Sequence, residues 1–209
     1  MTRTDIINML IGTRGYASYL EIGVDNPANN YGQIKCAHKE CVDPYDPALK
    51  ICSAWDETSA PTFVDYVTYH MTSDKFFEKF PDKRYDLIFI DGLHLEHQSD
   101  KDIVNALRHL NPGGAVVVHD CLPPDEPSQS EIDPAGSWSG TVWRSVIKCS
   151  LQTKLDITIV DTDWGVGIIE YTDQPIFSLP ATLDMDYRYF AAHNWELLHI
   201  VSPAEWLNQ

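Results

Sequence analysis

The chain has 209 residues, with 31 acidic and 15 basic side chains, so its formal net charge is −16 at pH 7. This length suggests one domain, alone or with an appendage, because single domains usually run to about 100–200 residues. The negative charge argues against a nucleic-acid partner, since binding to a polyanion relies on Lys and Arg displacing counterions. It also argues against an anionic membrane surface, and no apolar run reaches the roughly 20 residues that cross a bilayer.

The start of the chain and its five cysteines predict a cytoplasmic protein. The first residues lack the apolar core of a secretion signal. The cysteines are odd in number and include no Cys-x-x-Cys pair, which fits neither a disulfide scaffold nor a zinc knuckle. We therefore expect reduced thiols that act as small core hydrophobes. They are Cys36, Cys41, Cys52, Cys121 and Cys149.

Strand and helix signals alternate along the chain. Strands separated by helical segments imply crossover connections and an α/β fold with a mostly parallel, doubly wound, Rossmann-like sheet. Ligands of such sheets bind at the carboxyl ends of the strands. Strand patterns are predicted at 19–24, 40–44, 64–71, 85–92, 115–118, 155–160 and 164–171, with helices around 100–110 and 141–151 and a hairpin through 161–163.

Acids or glycine end four of the predicted strands, at Gly23, Asp43, Asp91 and Asp120. Asp43 stands 20 residues after Gly23, the distance at which an acid accepts hydrogen bonds from a ribose diol, although a solvated strand exit also explains such an acid. Of the dinucleotide fingerprint G-x-G-x-x-G only Gly23 is present, and Asp25 would repel a diphosphate. A nucleoside with an ammonium-bearing tail therefore fits this turn better than NAD.

These patterns resemble the class I S-adenosylmethionine-dependent methyltransferases, and within them the branch that O-methylates sugars of glycans and glycosylated natural products. The run YLEIGV at 19–24 resembles the first motif of that branch, and VDP at 42–44 resembles its ribose-binding acid. The most specific block runs from YDLIFIDGLH (85–94) through LNPGG (110–114) to VVHD (117–120). Together the motifs span roughly residues 15–150.

The resemblance implies a seven-stranded sheet whose last strand is antiparallel, with S-adenosylmethionine as cofactor. Glu21 and Gly23 would shape the turn under the methionine part of the cofactor, and Asp43 would hold the ribose hydroxyls. Ser73 and Asp74 would lie near the adenine.

Asp91 and His94 are the candidate catalytic residues. Methyl transfer from a sulfonium to a hydroxyl needs alignment of the reacting atoms and a base for the hydroxyl proton. His94 follows Asp91 by three residues, and the reference pKa of imidazole, near 6.5, suits proton acceptance at neutral pH. The alternative is a structural His94 that caps the following helix or bonds a loop carbonyl. By the resemblance, Asp91 would face the methionine ammonium or a metal.

A divalent cation is the second predicted ligand. Asp91 and Asp120 end neighbouring predicted strands about 4.8 Å apart, where two carboxylates repel unless a cation or an ammonium separates them. Some sugar methyltransferases of this branch bind a divalent ion through an acid that matches Asp91 and an acidic pair at the later strand end. Here that pair is His119-Asp120, so the candidate ligands of Mg²⁺ or Mn²⁺ are Asp91, His119 and Asp120, and the histidine leaves metal binding open. The ion would orient the sugar diol and lower the pKa of its hydroxyl.

Residues 1–175 are predicted to form the methyltransferase domain, and 176–209 a C-terminal aromatic appendage that packs on the domain or on a second subunit of a homo-oligomer. The Pro-rich stretch 122–140 is expected to be an acceptor loop or lid. Trp138 and Trp143 could stack on a sugar face, although core packing is the commoner fate of tryptophan. Small molecules and glycans are the expected acceptors.

Two other functions stay open. An oxidoreductase with a nucleotide cofactor could use a similar sheet, but the missing glycines disfavour it. A non-catalytic binding module could retain a methyltransferase scaffold, but the joint presence of Asp91, His94 and Asp120 disfavours that function.

Overall fold

The structure is a computed structural model that describes residues 1–44, 67–133, 138–172, 178–180 and 184–208. The strands are β1 (Ser18–Ile22), β2 (His38–Asp43), β3 (Tyr69–His70), β4 (Tyr85–Ile90), β5 (Leu110–Val118), β6 (Leu155–Val160), β7 (Val166–Tyr171) and β8 (Ile200–Val201). The helices are α1 (Arg3–Arg14), α2 (Ser73–Lys79), α3 (Glu96–Arg108), α4 (Val142–Ser150), α5 (Tyr187–Leu197) and α6 (Pro203–Leu207).

The eight strands form one sheet in the order β3-β2-β1-β4-β5-β7-β6-β8. β7 is antiparallel to β5 and β6, and the other neighbouring pairs are parallel. The predicted α/β fold with a mostly parallel sheet and an antiparallel strand is therefore confirmed. The expected count of seven strands was too low, because β8 near the C-terminus pairs with β6, whose backbone groups would otherwise form an unpaired edge.

The central strands are apolar on both faces because helices cover both sides of the sheet. On one side, Ile88 and Ile90 of β4 pack in a cluster with Leu107 of α3. On the other side, Leu87 and Phe89 pack in a second cluster that includes α1. This two-sided burial fixes the register of β4 and hence the position of the residues that follow it.

Helix α1 begins at the carboxyl edge of the sheet. A capping box holds its first turn: the Thr2 hydroxyl accepts from the Asp5 backbone N–H, and the Asp5 carboxylate accepts from the Thr2 backbone. Gly15 ends the helix in a left-handed conformation with φ 68°. The start of α1 therefore places Arg3 beside the residues that follow β4 and β5.

The remaining sequence-based expectations divide between confirmed and untested. The hairpin through 161–163 joins β6 and β7 as predicted. Of the strand expected at 64–71, Tyr69 and His70 form β3, and residues 64–66 lie outside the described residues. The expected domain boundary at 175–176 also lies outside them. Cys36, Cys41, Cys121 and Cys149 are free thiols, and Cys52 falls in an undescribed range.

Within the described residues, every helix is too short or too polar to cross a membrane.

Candidate active site

Asp91 and Asp120 stand side by side at the carboxyl edge of the sheet. β4 and β5 pair in parallel with Ile90 opposite Val118, and the His119 backbone N–H donates to the Ile90 carbonyl at 3.0 Å. Asp120 is 1% exposed and adopts a positive φ of 62°, which non-glycine residues seldom adopt. The predicted juxtaposition of the two carboxylates is thus present in the structure.

His94 lies between these carboxylates. Its Nε2 is 3.4 Å from Asp91 Oδ1 and 3.3 Å from Asp120 Oδ2, while its Nδ1 is 2.8 Å from the Trp138 carbonyl oxygen. The side chain therefore bonds a loop carbonyl with one nitrogen and faces both acids with the other. Burial lowers the pKa of His94, but Asp91 and Asp120 outweigh burial, so the pKa is raised above its ordinary value.

The segment that follows Trp138 is packed closely on His94. Gly140 has a φ of 56°, and a Cβ at this position would overlap the His94 carbonyl oxygen. The Thr141 backbone N–H donates to that same oxygen at 2.8 Å, and the Thr141 hydroxyl accepts from the Glu96 backbone N–H at 2.7 Å. Glycine at 140 therefore allows the end of segment 122–140 to hold His94 against the start of α3.

His119 occupies the other side of the carboxylate pair. Its Nδ1 is 3.4 Å from Asp91 Oδ1 and 3.2 Å from Asp120 Oδ2, and its Nε2 is 3.6 Å from Asp163 Oδ1. Although burial opposes protonation, these carboxylates raise the pKa of His119 well above its usual value, and a hydrogen bond with His119 lowers the pKa of Asp163 to about 2. Nη1 of Arg3 also lies 2.9 Å from His119 Nε2.

Arg3 and Asp163 are site residues that were not predicted from the sequence. Arg3 Nε is 3.8 Å from Asp91 Oδ2, and the Arg3 backbone N–H donates to Asp163 Oδ2 at 2.9 Å. The two residues are 160 positions apart in the chain, so no local motif joins them. The turn signal at 161–163 was the one available clue, because it places Asp163 at the carboxyl edge. Despite burial, the pKa of Asp91 lies well below its usual range, because His119 and His94 stabilise the carboxylate.

The turn after β1 brings further carboxylates to the same edge. Asp43 Oδ2 accepts from the Val24 backbone N–H at 2.9 Å, and Gly23, with φ 81°, lies so close to Asp91 that a Cβ would overlap the Asp91 carbonyl oxygen. Burial and the nearby Asp91 and Asp43 raise the pKa of Asp25. This edge carries negative charge, which suits a cationic ligand and would repel a diphosphate.

Glu21 lies beneath this turn and is 1% exposed. Its Oε2 accepts from the Tyr19 hydroxyl at 2.5 Å and from Asn30 Nδ2 at 2.9 Å. Burial raises the pKa of Glu21 to about 8, against the opposing hydrogen bond from Tyr19. The side chain therefore supports the 24–30 loop from inside the protein.

Ser73 and Asp74 lie outside the cluster of Asp91, His94 and Asp120. They begin α2, where Gln98 Nε2 of α3 donates to Ser73 Oγ at 3.2 Å and to Asp74 Oδ1 at 3.1 Å. The expectation that they border an adenine remains a prediction.

Trp138 and Trp143, which the sequence offered for stacking on a sugar, lie in different surroundings. Trp143 is fully buried and stacks on Phe190 of α5, with ring centroids 4.4 Å apart. Trp138 donates from Nε1 to the Ser130 carbonyl at 2.8 Å, and its ring centroid lies 5.0 Å from that of His94. Trp143 is therefore a core residue, whereas Trp138 positions His94.

The residues at the carboxyl edge also fit a divalent cation. Asp91, His94 and Asp120 each offer one ligand atom, and these atoms lie within 4.8 Å of one another. Asp120 Oδ1 is buried and has no hydrogen-bond partner among the described residues. A cavity of about 10 Å³ adjoins the three side chains, roughly the room of one water or ion. This triad has His94 in the place that the sequence prediction gave to His119, whose Nδ1 faces the same two carboxylates.

Part of the chain is similar in sequence to a known protein family. Residues 27–121 match the profile of a family described as a methyltransferase domain. No curated protein matches the chain in sequence.

Solved structures similar in fold include three methyltransferases. The methyltransferase PaMTH1 of Podospora anserina, solved with S-adenosylhomocysteine, is 15% identical with a TM-score of 0.57, over 82% of this chain and 78% of that one. The O-methyltransferase of Bacillus cereus, solved with the same ligand, is 12% identical with a TM-score of 0.56, over 82% of each chain. The O-methyltransferase TomG of Streptomyces achromogenes, solved with S-adenosylmethionine, is 15% identical with a TM-score of 0.53, over 82% and 80%.

The fold and the family match agree. The three solved methyltransferases each match 82% of the chain in fold, and the family match covers residues 27–121. The chain therefore has the Rossmann-like methyltransferase fold, and residues 27–121 match the model of a methyltransferase-domain family.

Proposed function

We propose that this protein is an S-adenosylmethionine-dependent O-methyltransferase that acts on a hydroxyl of a small molecule, namely a sugar of a glycan or glycoside. The observation that carries the proposal is the position of His94, whose Nε2 lies within 3.4 Å of both Asp91 and Asp120. The sugar assignment rests on the likeness of the 85–120 block to the sugar O-methylating branch. The net charge of −16 supports a neutral or cationic acceptor over RNA.

The cofactor would supply an electrophilic methyl group on a sulfonium. Asp43 would accept hydrogen bonds from its ribose hydroxyls, and Asp91 would face its ammonium group. Gly23 would allow the turn after β1 to approach the strand end at Asp91. The carboxylates along this edge match the positive charge of the sulfonium and the ammonium, which is why a methyl donor fits better than a dinucleotide.

His94 would act as general base. Its Nδ1–H donates to the Trp138 carbonyl, so Nε2 is the nitrogen that can take the proton of the acceptor hydroxyl. Asp91 and Asp120 would then stabilise the imidazolium that forms. Because Trp138 and Thr141 fix the ring and its backbone, the base needs no rearrangement to reach its working position.

A second arrangement is favoured by the unpartnered Oδ1 of Asp120. In it, Asp91, His94 and Asp120 would hold a divalent cation, which would lower the pKa of the acceptor hydroxyl and orient a diol. The imidazole makes Mn²⁺ a better match than Mg²⁺, since Mg²⁺ prefers oxygen ligands. His94 could not then serve as the base, because its Nε2 lone pair would bind the ion.

The proposal is tested by transfer of labelled methyl groups from S-adenosylmethionine to a panel of hydroxylated sugars and phenols. We expect His94→Ala to abolish transfer while the affinity for S-adenosylhomocysteine stays within a few-fold of wild type. His97→Ala is the matched control, because His97 is an exposed histidine in the first turn of α3, and this variant should retain activity. Full activity of His94→Ala would refute the assignment.

Chelation separates the two arrangements. Turnover that is unchanged in EDTA supports the base without a metal. Loss of turnover in EDTA, with recovery on adding Mn²⁺, supports the cation.

A further inference from the structure

Trp164 is an exposed aromatic side chain held in an unfavourable backbone conformation. It lies in the turn between β6 and β7 and is 42% exposed. Asp163 and Trp164 have φ values of 50° and 60°, in the left-handed region that bulky L residues avoid. The non-glycine residues with positive φ in the described chain are these two, Asp25 and Asp120, and all four lie at the carboxyl edge of the sheet. Such strain concentrates at functional sites and persists where the surroundings impose it.

The surroundings of this turn fix the tryptophan backbone. The Trp164 carbonyl accepts from the Leu122 N–H at 2.8 Å, and the Gly165 carbonyl accepts from the Cys121 N–H at 3.1 Å. Asp163 Oδ2 accepts from the Arg3 backbone N–H at 2.9 Å. The turn is therefore clamped between the start of α1 and the start of segment 122–140, and the clamp keeps a large ring partly in solvent.

The strand order shows on which side of the cluster of Asp91, His94 and Asp120 the Trp164 side chain is placed. From β2 to β7 the edge carries in order Asp43, Gly23, Asp91 and Asp120, and then the turn that contains Trp164. The proposed cofactor residues are on the β1 and β2 side of the cluster. Trp164 is on the opposite side of the cluster, which the proposed cofactor site leaves for an acceptor to align with the methyl group.

The distance from Trp164 to the cluster is short. Its ring centroid lies 6.3 Å from that of His119, with 39° between the planes, and His119 Nδ1 is 3.2 Å from Asp120 Oδ2. The Asp163 carboxylate beside it is 27% exposed. An apolar ring face next to hydrogen-bond acceptors suits a sugar, which has a flat C–H face and a rim of hydroxyls.

We propose that Trp164 is the residue on which the sugar ring of the acceptor stacks, so that it sets acceptor affinity and specificity. This proposal rests on the proposed function. It reassigns the stacking role from Trp138 and Trp143, because the first is bonded to Ser130 and packed on His94, and the second is fully buried.

The test uses the full chain saturated with S-adenosylhomocysteine. The probes are a panel of methyl pyranosides and, as a hydroxylated ring that is not a sugar, catechol, with binding measured by saturation-transfer NMR. Trp164→Asn removes the ring with a residue that tolerates positive φ, and Trp164→Phe keeps a ring. Trp195→Ala is the matched control, because Trp195 is 61% exposed on α5. Thermal unfolding and titration with S-adenosylhomocysteine are recorded for each variant, so that a variant that fails to fold is recognised.

We expect the wild type to bind at least one pyranoside. Trp164→Asn should weaken that binding by about tenfold, the loss of roughly 1.4 kcal/mol, while Trp164→Phe and Trp195→Ala should stay within about threefold. Affinity for S-adenosylhomocysteine should be unchanged in all three variants. Where an active pyranoside is found, the Michaelis constant for it should rise in Trp164→Asn while kcat is maintained.

Equal pyranoside binding by Trp164→Asn and wild type would overturn the proposal. It would also be overturned if the wild type bound catechol but no pyranoside, or bound neither catechol nor any pyranoside. Absence of S-adenosylhomocysteine binding to the wild type would instead contradict the proposed function itself. The two failures are thus distinguishable.

Discussion

Replacement of Gly23 by alanine tests whether the ends of β1 and β4 must approach as closely as they do. Gly23 has φ 81°, and an added Cβ would overlap the Asp91 carbonyl oxygen and lie 2.7 Å from Gly92 Cα. Gly113 is the matched control, because it has φ 79° but nothing within 4 Å of its Cβ. Both substitutions introduce the backbone strain of an L residue at positive φ, about 1–2 kcal/mol. Both also reduce the entropy of the unfolded chain equally.

The difference between the two variants therefore isolates the steric overlap. To relieve it, Gly23 and Asp91 must separate, which strains the hydrogen bonds from Gly23 N–H to the Val42 carbonyl and from Asp91 N–H to the Ile22 carbonyl. Overpacking of this kind costs about 1–3 kcal/mol, and Gly23→Ala should lose that much more free energy of unfolding than Gly113→Ala.

Urea denaturation measures the stability difference, and calorimetry measures affinity for S-adenosylhomocysteine. We expect Gly23→Ala to lose affinity by at least tenfold, because the turn after β1 shapes the proposed cofactor site, and Gly113→Ala to bind like wild type. Equal losses of stability in both variants, or unaltered affinity in Gly23→Ala, would refute the close approach as the basis of the site.

Two further predictions concern buried ionisable side chains. Burial raises the pKa of Glu21 to about 8, so between the unfolded pKa near 4.3 and about 8 the unfolded chain releases a proton that the folded chain retains. Glu21 therefore makes the free energy of unfolding fall as pH rises, by at most about 1.4 kcal/mol per pH unit. Between pH 5 and 8, the free energy of unfolding of Glu21→Gln should lack this dependence on pH. An identical dependence in the variant and the wild type would contradict the burial. Lys148 is 1% exposed and pairs with Glu96 and Asp100, so Lys148→Ala should lower the free energy of unfolding by about 3–5 kcal/mol. Lys101→Ala removes a side chain that is 54% exposed and should lower it by less than about 1 kcal/mol. Similar losses in both variants would count against the buried network.

The elements with strong local patterns could be predicted from the sequence. Runs such as 85–90 carry their own burial signal, and the acids that follow them are brought together by parallel pairing of adjacent strands. For this reason Asp91 and Asp120 were expected to meet. The eighth strand was missed because Ile200 and Val201 form only a two-residue strand, too short to give a period.

The parts of the site that depend on long-range contacts could not be predicted. Arg3 and Asp163 meet across 160 positions of sequence, and the carbonyl that fixes His94 comes from Trp138, 44 positions away. A tryptophan in the sequence can lie in the core, as Trp143 does, or be partly exposed, as Trp164 is, and the residue type alone does not distinguish the two. These contacts depend on where loops cross the sheet edge, which residue patterns do not encode.

Calorimetric titration with S-adenosylhomocysteine and with NADH tests the central claim most directly, because it requires no knowledge of the acceptor. We predict that one S-adenosylhomocysteine binds per chain, that NADH does not bind, and that Asp43→Asn weakens S-adenosylhomocysteine at least tenfold. Asp156→Asn, an exposed acid on β6, should leave the affinity unchanged. Binding of NADH in place of S-adenosylhomocysteine, or an affinity indifferent to Asp43, would contradict the assignment of this edge as the site of a methyl donor.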